Sequence, residues 1–252
     1  MSRITRRRSR TVGLLAAGLL TATLSVAGPV GSASADPVRN CPERYVLAVD
    51  GTRGFETLDS IDPESPLAEI SARYEAPGTV VEHIRYPAVV VPMPGTGSHD
   101  DGDGIDDDGA IAYDRSKQIG HQRLRQTITV RHSTCPDAEL LVLGYSQGAS
   151  IAGDVLAEIA ADGSVPPDRI SGILYSDPRD NRGVETLFPG RVVPGVTLGG
   201  ARDEFGEIHV ERICIERDAV CDGRTPDDGK DWLRESVTGY LELHTKYPEY
   251  QP

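Results

Sequence analysis

Short apolar segments alternate along the chain with longer segments that carry apolar residues at helical spacing. Runs rich in leucine, β-branched and aromatic residues predict strands at residues 45–49, 79–86, 139–143, 170–175, 192–198 and 208–215. Helical spacing predicts helices at residues 114–131, 148–161 and 231–244. The run at 139–143, which is continuously apolar after Glu139, is typical of a strand buried on both faces of a sheet. Because strands and helices alternate, we predict an α/β fold with a mostly parallel central sheet and helices on both faces.

The start of the chain has a composition of its own. Five arginines and no acidic residue lie within the first ten positions, and an apolar run follows at residues 11–28. Ala33-Ser34-Ala35 then forms a small-residue site of the A-x-A type, so the segment is typical of a secretory signal peptide. The alternative is a membrane anchor. The run is short for the roughly 20 apolar residues that a membrane span needs, and it contains Gly, Thr and Ser.

This layout predicts a signal peptide at residues 1–35 and a single domain at residues 36–252, because no linker divides the later sequence. We expect the protein to be secreted, either extracellular or associated with the cell wall. No later segment is long and apolar enough to predict a stable membrane span.

The charge balance excludes some classes of partner. The sequence has 39 acidic and 26 basic residues and a net charge of −13, which becomes about −18 when the five arginines of the signal peptide are removed. Nucleic-acid binding needs clustered Lys and Arg against phosphates, so we predict no nucleic-acid partner.

One stretch of low complexity, at residues 99–109, carries six aspartates and few apolar residues. Such a composition predicts a solvated surface loop. Its Asp-x-Asp-Gly spacing is similar to calcium loops, but Ala110 stands where a bidentate Glu belongs. We therefore predict no cofactor and no metal site, with calcium as the alternative. The candidate ligands in that alternative are Asp101, Asp103 and Asp106.

A G-x-S-x-G motif, Gly144-Tyr145-Ser146-Gln147-Gly148, lies between a predicted buried strand and a predicted helix. This strand–turn–helix context is that of a nucleophile elbow, in which a tight turn exposes the serine at a helix N-terminus. Ser146 is therefore the candidate nucleophile, and the backbone N–H of Gln147 would face a developing oxyanion. The alternative is an ordinary glycine-rich turn that contains a serine.

A serine nucleophile needs a base and an acidic residue that orients the base. On folds with this motif the chain order is Ser, then Asp or Glu, then His. Asp218 follows the strand predicted at residues 208–215, and if it is the orienting residue, His209 is excluded because it precedes it. His244 is then the only remaining histidine after Ser146.

Two further acidic residues remain as alternatives to Asp218. Asp177 also follows a predicted strand, and Asp203 is a more distant candidate. His209 lies within a predicted strand, where a histidine without a catalytic role is the simpler interpretation.

Several segments together resemble the cutinase family of serine esterases. In chain order they are Cys41-Pro42, Asp50-Gly51-Thr52, Cys135-Pro136-Asp137, Gly144-Tyr145-Ser146-Gln147-Gly148-Ala149 and Cys214-x-x-x-Asp218-x-x-Cys221. The resemblance covers nearly the whole chain after residue 35, and it is closer to actinobacterial cutinase-like and PE-PPE-domain esterases than to fungal cutinases.

The resemblance implies an α/β-hydrolase fold with no large lid. It implies Ser146 as nucleophile, Asp218 as orienting residue and His244 as general base. It also implies an oxyanion hole formed by the N–H groups of Thr52 and Gln147. The implied disulfides are Cys41–Cys135 and Cys214–Cys221.

The implied activity is that of a secreted serine esterase, monomeric, which hydrolyses small-molecule or lipid esters with short to medium acyl chains through an acyl-enzyme. One alternative is an envelope-lipid acyltransferase, or a lipase or phospholipase, on the same fold. Another is a non-catalytic secreted binding module that uses the acidic loop.

Overall fold

The computed structural model describes residues 40–53, 63–90, 93–97 and 109–250. The strands are β1 (Arg44–Val49), β2 (Thr79–His83), β3 (Met93–Gly97), β4 (Gly109–Ile111), β5 (Glu139–Tyr145), β6 (Ile170–Tyr175), β7 (Gly190–Val193), β8 (Val196–Leu198) and β9 (His209–Ile213). The helices are α1 (Pro66–Ala72), α2 (Tyr113–Thr134), α3 (Gln147–Asp162), α4 (Val184–Leu187) and α5 (Trp232–Leu243). The predicted signal peptide and the candidate calcium ligands Asp101, Asp103 and Asp106 lie outside the described residues.

The central sheet of the described chain has five parallel strands in the order β2-β1-β5-β6-β9. The chain moves from β1 outward to β2, then continues from β5 in the opposite direction. The order therefore reverses between β1 and β5. In open α/β sheets, ligands bind in the crevice outside the carboxyl ends of the strands at such a switch point. Gly51 and Ser146 follow these two strands and lie at that edge.

The sheet separates two apolar clusters because successive side chains of a strand point to opposite faces. On one face, Leu47 and Val142 pack with residues of α2 and α3. On the other face, Val46 and Leu143 pack with residues of α1. The fold is thus the α/β arrangement that the alternation of elements predicts, with helices on both faces of a parallel sheet.

Local sequence signals explain where two of the helices begin and end. Ser65 caps α1, since its hydroxyl accepts a hydrogen bond from the N–H of Ala68 and Pro66 occupies the first turn. Helix α3 ends at Gly163, whose φ of 64° places it in the left-handed region that favours glycine.

The observed elements correct one predicted strand and shorten another. The prediction of a single strand at residues 192–198 is wrong. This segment contains the turn between β7 and β8, which pair antiparallel. Gly195 has φ of 81° there, and Pro194 precedes it. The strand predicted at 79–86 ends at His83. The short elements α1, α4, β3 and β4 were not predicted, because their apolar runs are too brief to show a period.

Both disulfides implied by the resemblance are present. Cys41–Cys135 joins the segment before β1 to the end of α2. Cys214–Cys221 closes a short loop after β9. Among the described helices, none is both long and apolar enough to cross a bilayer.

Candidate active site

Ser146 lies in a sharp turn between β5 and α3 and adopts φ 55° and ψ −121°. This conformation is rare for a residue with a side chain, and it is typical of functional turns. The two glycines of the motif are required by close packing. A Cβ on Gly148 would lie 2.0 Å from the carbonyl oxygen of Val49, and one on Gly144 would lie 2.6 Å from Cα of Ala149. The backbone crowding thus sets the position of Ser146 at the helix N-terminus.

Three predicted residues converge at this turn. The Oγ of Ser146 lies 3.0 Å from Nε2 of His244, and Nδ1 of His244 lies 3.1 Å from each carboxylate oxygen of Asp218. His244 directly follows α5, and Asp218 lies in the disulfide-closed loop after β9. All three side chains are buried. The arrangement is a continuous chain of hydrogen bonds from hydroxyl to imidazole to carboxylate.

The alternative residues lie elsewhere. Asp177 is buried but pairs with the guanidinium of Arg202 and accepts the N–H of Arg179. Asp203 and His209 are exposed on the surface. Asp218 is therefore the carboxylate in contact with His244.

Asp218 accepts more hydrogen bonds than the one from His244. The hydroxyls of Ser176 and Tyr247 donate to its Oδ2, the latter at 2.7 Å, and the N–H of Val220 donates to Oδ1 at 3.1 Å. Burial alone would raise the pKa of Asp218, but the hydrogen bond and charge of His244, with Ser176 and Tyr247, hold that pKa below its ordinary value. The carboxylate is thus kept ionised and fixed in orientation.

Two tyrosines fix the imidazole. The hydroxyl of Tyr145 donates to the backbone carbonyl of His244 at 2.6 Å. The rings of Tyr145 and Tyr240 both stack on the imidazole, with ring centroids at 5.1 and 4.9 Å. Because ring and backbone of His244 are both held, its Nε2 stays directed at Ser146.

Thr52 and Gln147, the two residues predicted to supply the oxyanion donors, line the same cleft as Ser146. Gln147 is the first residue of α3, so its N–H has no acceptor within the helix and lies at the positive end of the helix dipole. The hydroxyl of Thr52 donates to the side-chain oxygen of Gln147 at 3.1 Å. Gly51 brings the loop close, since a Cβ there would lie 3.1 Å from Cβ of Ser146.

A cleft of about 420 Å³ opens over these groups. Ser146, His244 and Thr52 contribute polar groups to it, and the charged side chains Asp50, Arg53 and Glu64 also line it. Its apolar lining includes Val90, Val184, Val196, Leu198 and Val220. Polar groups that converge in a cleft with a substantial apolar lining are typical of small-molecule sites.

Sequence reasoning missed Ser176, Tyr247, Tyr145 and Tyr240 as parts of this site. A signal existed for Ser176: it follows β6 directly, and β6 is the neighbour of β5 in a parallel sheet whose carboxyl ends share one edge. Tyr240 and Tyr247 carried no comparable signal, because they belong to the C-terminal segment, whose packing depends on the tertiary fold. Tyr145 lies within the G-x-S-x-G motif, but the motif does not indicate that its hydroxyl would contact His244.

The part of the chain that the structure describes contains no candidate metal-binding site. No group of three or more His, Cys, Asp or Glu side chains there could hold a metal ion. Calcium binding by Asp101, Asp103 and Asp106 stays an untested alternative. Measuring ester hydrolysis with and without a chelator would test it.

Comparison with known proteins identifies the family. The family model described as Cutinase matches residues 66–229, which is more than half of the chain. The chain belongs to the cutinase family. This member of the cutinase family is accordingly a carboxylic ester hydrolase, and the predicted family, fold class and enzyme class are confirmed.

Relatives of this cutinase-family protein differ in sequence identity and in the share of each chain that is matched. It is 29% identical over 233 residues to a carboxylesterase Culp6 homolog of Corynebacterium glutamicum, covering 77% of this chain and 71% of the relative. It is 26% identical over 210 residues to a cutinase of Botryotinia fuckeliana, covering 83% of each chain. The catalytic core domain of an acetyl xylan esterase from Trichoderma reesei is a similar solved structure, with a TM-score of 0.46, 22% identity, and coverage of 84% of this chain and 100% of that one.

Proposed function

We propose that this protein is a secreted serine esterase that hydrolyses carboxylic esters of short to medium acyl chains through an acyl-enzyme on Ser146. The observation that carries the proposal is the hydrogen-bonded chain from Ser146 through His244 to Asp218. A nucleophile, a base and an orienting carboxylate in this geometry are what acyl transfer requires.

The first half-reaction forms the acyl-enzyme. Nε2 of His244 takes the proton of the Ser146 hydroxyl as Oγ bonds to the ester carbonyl carbon, and the carbonyl electron pair moves onto oxygen. The N–H groups of Gln147 and Thr52 stabilise that oxyanion. The intermediate collapses with cleavage of the bond to the alcohol, which leaves with the proton from His244.

The second half-reaction returns the enzyme. Water gives a proton to His244 as its oxygen bonds to the acyl carbon, and the new oxyanion occupies the same position. Collapse breaks the bond to Ser146, whose oxygen takes the proton back from His244, and the carboxylic acid leaves. Asp218 stays ionised throughout and stabilises the imidazolium.

The size and lining of the cleft support the proposed short to medium acyl chains. A volume of about 420 Å³ is within the range of about 300–1,000 Å³ for small-ligand pockets, and the apolar lining suits an acyl chain. A panel of nitrophenyl esters of rising acyl length, with and without an added glycerol acceptor, would give the length preference and would separate hydrolysis from acyl transfer to an alcohol.

The decisive test of the mechanism is Ser146→Ala. We expect it to lower kcat by about 10⁴-fold or more and to abolish covalent labelling by a fluorophosphonate. Ser133→Ala, which removes an exposed hydroxyl on α2, is the control and should label like the wild type. Undiminished labelling of the Ser146→Ala protein would refute the proposal.

Export is the second part of the proposal. The arginine-rich and apolar start of the chain and the two disulfides support it, since disulfides persist in oxidising compartments. N-terminal sequencing of protein recovered from the culture medium should begin at Asp36; a start at Met1 would contradict cleavage after Ala35.

The exposed apolar side chains of α5 favour a second candidate function, the hydrolysis of lipid esters at a lipid surface. On this helix Leu233, Val237 and Leu241 are 59%, 52% and 70% exposed, and Tyr240 near them lines the cleft. A Val237→Ser, Leu241→Ser double variant should lose activity on emulsified esters and keep it on dissolved ones. Equal activity of variant and wild type on emulsions would refute this candidate.

A further inference from the structure

Ser176 occupies a backbone conformation that its side chain disfavours. It follows β6 directly, has no exposed surface, and has φ of 52°, in the left-handed region that favours glycine. Its N–H donates to the carbonyl of Ile213 at 2.9 Å, which fixes it to the edge of β9. A glycine would satisfy this backbone with less strain, so the presence of a serine points to a use for the hydroxyl.

The hydroxyl lies between two members of the proposed triad. Ser176 Oγ is within hydrogen-bond distance of Asp218 Oδ2 and lies 3.0 Å from Nδ1 of His244. An ionised carboxylate can only accept, so Ser176 donates to Asp218. The lone pairs of Oγ are then available to accept from Nδ1–H of His244.

The protonation of His244 in the proposed mechanism fits this assignment. Nε2 must be free to accept the proton of Ser146, so the neutral imidazole carries its proton on Nδ1. That proton has three acceptors at nearly equal distance: the two oxygens of Asp218 at 3.1 Å and Oγ of Ser176 at 3.0 Å. A hydroxyl at this point selects the Nδ1–H tautomer and restrains rotation of both the carboxylate and the ring.

We propose that Ser176 is a positioning residue of the ester hydrolysis, which holds the carboxylate of Asp218 and Nδ1–H of His244 in the geometry needed for proton transfer from Ser146. The inference rests on the proposed triad. Ser176 is fully buried and is not among the residues that line the cleft, so it acts through His244. Its effect therefore falls on proton transfer, and substrate binding in the cleft is unaffected.

Two variants separate the hydroxyl from the backbone. Ser176→Gly removes the hydroxyl and relieves the left-handed strain, whereas Ser176→Ala removes the hydroxyl and keeps the strain. We expect kcat to fall by about tenfold or more in both, because a hydrogen bond to a charged group is lost, while KM changes by less than about twofold. The Gly variant should have the higher Tm of the two.

Proton NMR supplies a readout that a structural role would not move. The low-field resonance of the His244 Nδ1 proton should shift in Ser176→Gly, since one of its acceptors is gone. Ser71→Ala is the matched control. Ser71 is a buried serine of α1 whose hydroxyl is hydrogen-bonded to the carbonyl of Ala68 and to His83. Removing this hydroxyl should lower Tm without changing kcat or the resonance of the His244 Nδ1 proton.

The outcomes distinguish this inference from the proposed function. Values of kcat within twofold of wild type for both Ser176 variants would overturn the positioning role, as would a loss in Ser176→Ala that Ser176→Gly does not share. A failure of the triad itself would appear instead as activity retained by Ser146→Ala.

Discussion

Gly239 of α5 packs directly against the backbone carbonyl of Arg217, the residue that precedes Asp218. A Cβ on Gly239 would lie 2.0 Å from that oxygen. Helix α5, which His244 directly follows, therefore packs against the loop that contains Asp218, and the absence of a side chain at Gly239 allows this close backbone contact. The distance between imidazole and carboxylate is set by this backbone contact as well as by the side chains.

Gly239→Ala should consequently damage activity. The added methyl must push α5 away from the loop, and a displacement of about 1 Å at catalytic groups can cost about a hundredfold in rate. We expect kcat to fall by that order in an ester assay. Thr238→Ala, on the exposed side of the same helix, is the control and should keep wild-type kcat. Full activity of Gly239→Ala would show that the contact does not set the geometry.

The two disulfides should have different effects when removed. In the chain-entropy account, closing the 94-residue separation of Cys41–Cys135 stabilises the fold by about 4.7 kcal/mol, and the short Cys214–Cys221 loop contributes about 2.5 kcal/mol. The longer link should therefore matter more for Tm. The shorter one holds the loop of Asp218 and should matter more for kcat.

This contrast is measured with two double variants. Cys41→Ala with Cys135→Ala should lower Tm more, and Cys214→Ala with Cys221→Ala should lower kcat more, each assayed at a temperature where both proteins are folded. The opposite ranking of kcat would contradict a role of the short loop in holding Asp218.

The central part of the fold was accessible from sequence because its signals are local. The apolar run ending at Leu143, the glycines around Ser146 and the alanine-rich helix after it specify strand, turn and helix within about twenty residues. The hairpin of β7 and β8 was missed since two short strands and their turn have the composition of one strand.

The choice between acidic residues depended on contacts distant in sequence. Asp177 and Asp218 both follow strands, so sequence position alone could not separate them. In the structure the two residues differ in their partners: Asp177 pairs with the guanidinium of Arg202, which lies 25 residues later in the sequence. The left-handed backbone of Ser176 likewise has no signature in the sequence, because it arises from the sheet edge that holds it.

Tyr247→Phe tests the support of Asp218 from a second direction. The hydroxyl of Tyr247 donates to Asp218 Oδ2 at 2.7 Å and accepts the N–H of Ile215 at 3.1 Å. Its removal leaves a buried N–H unpaired and should destabilise the fold by about 1–3 kcal/mol, with a lower kcat. Tyr250→Phe, a change at a partly exposed ring, should alter neither. Wild-type Tm and kcat for Tyr247→Phe would contradict the assigned contacts.

Asp50 should make the stability of the fold depend on pH. Its side chain is buried at the edge of the cleft, and burial raises its pKa above the ordinary 3.8. Ser65, the N–H of Gly51, and the charges of Arg53 and His83 oppose that rise without cancelling it. The folded chain therefore holds the proton of Asp50 more tightly than the unfolded chain does.

The sign of the effect follows from this difference. The contribution of Asp50 is fully present below pH 3.8 and is lost as the pH rises through the raised pKa of the folded state. Asp50→Asn cannot ionise, so it should be more stable than wild type at pH 8, by about 2 °C or more in Tm for each ~1 kcal/mol gained. The advantage should disappear near pH 4. Thermal melts of both proteins from pH 4 to 8 measure it, and a difference in Tm that stays constant across that range would show that ionisation of Asp50 is not its cause.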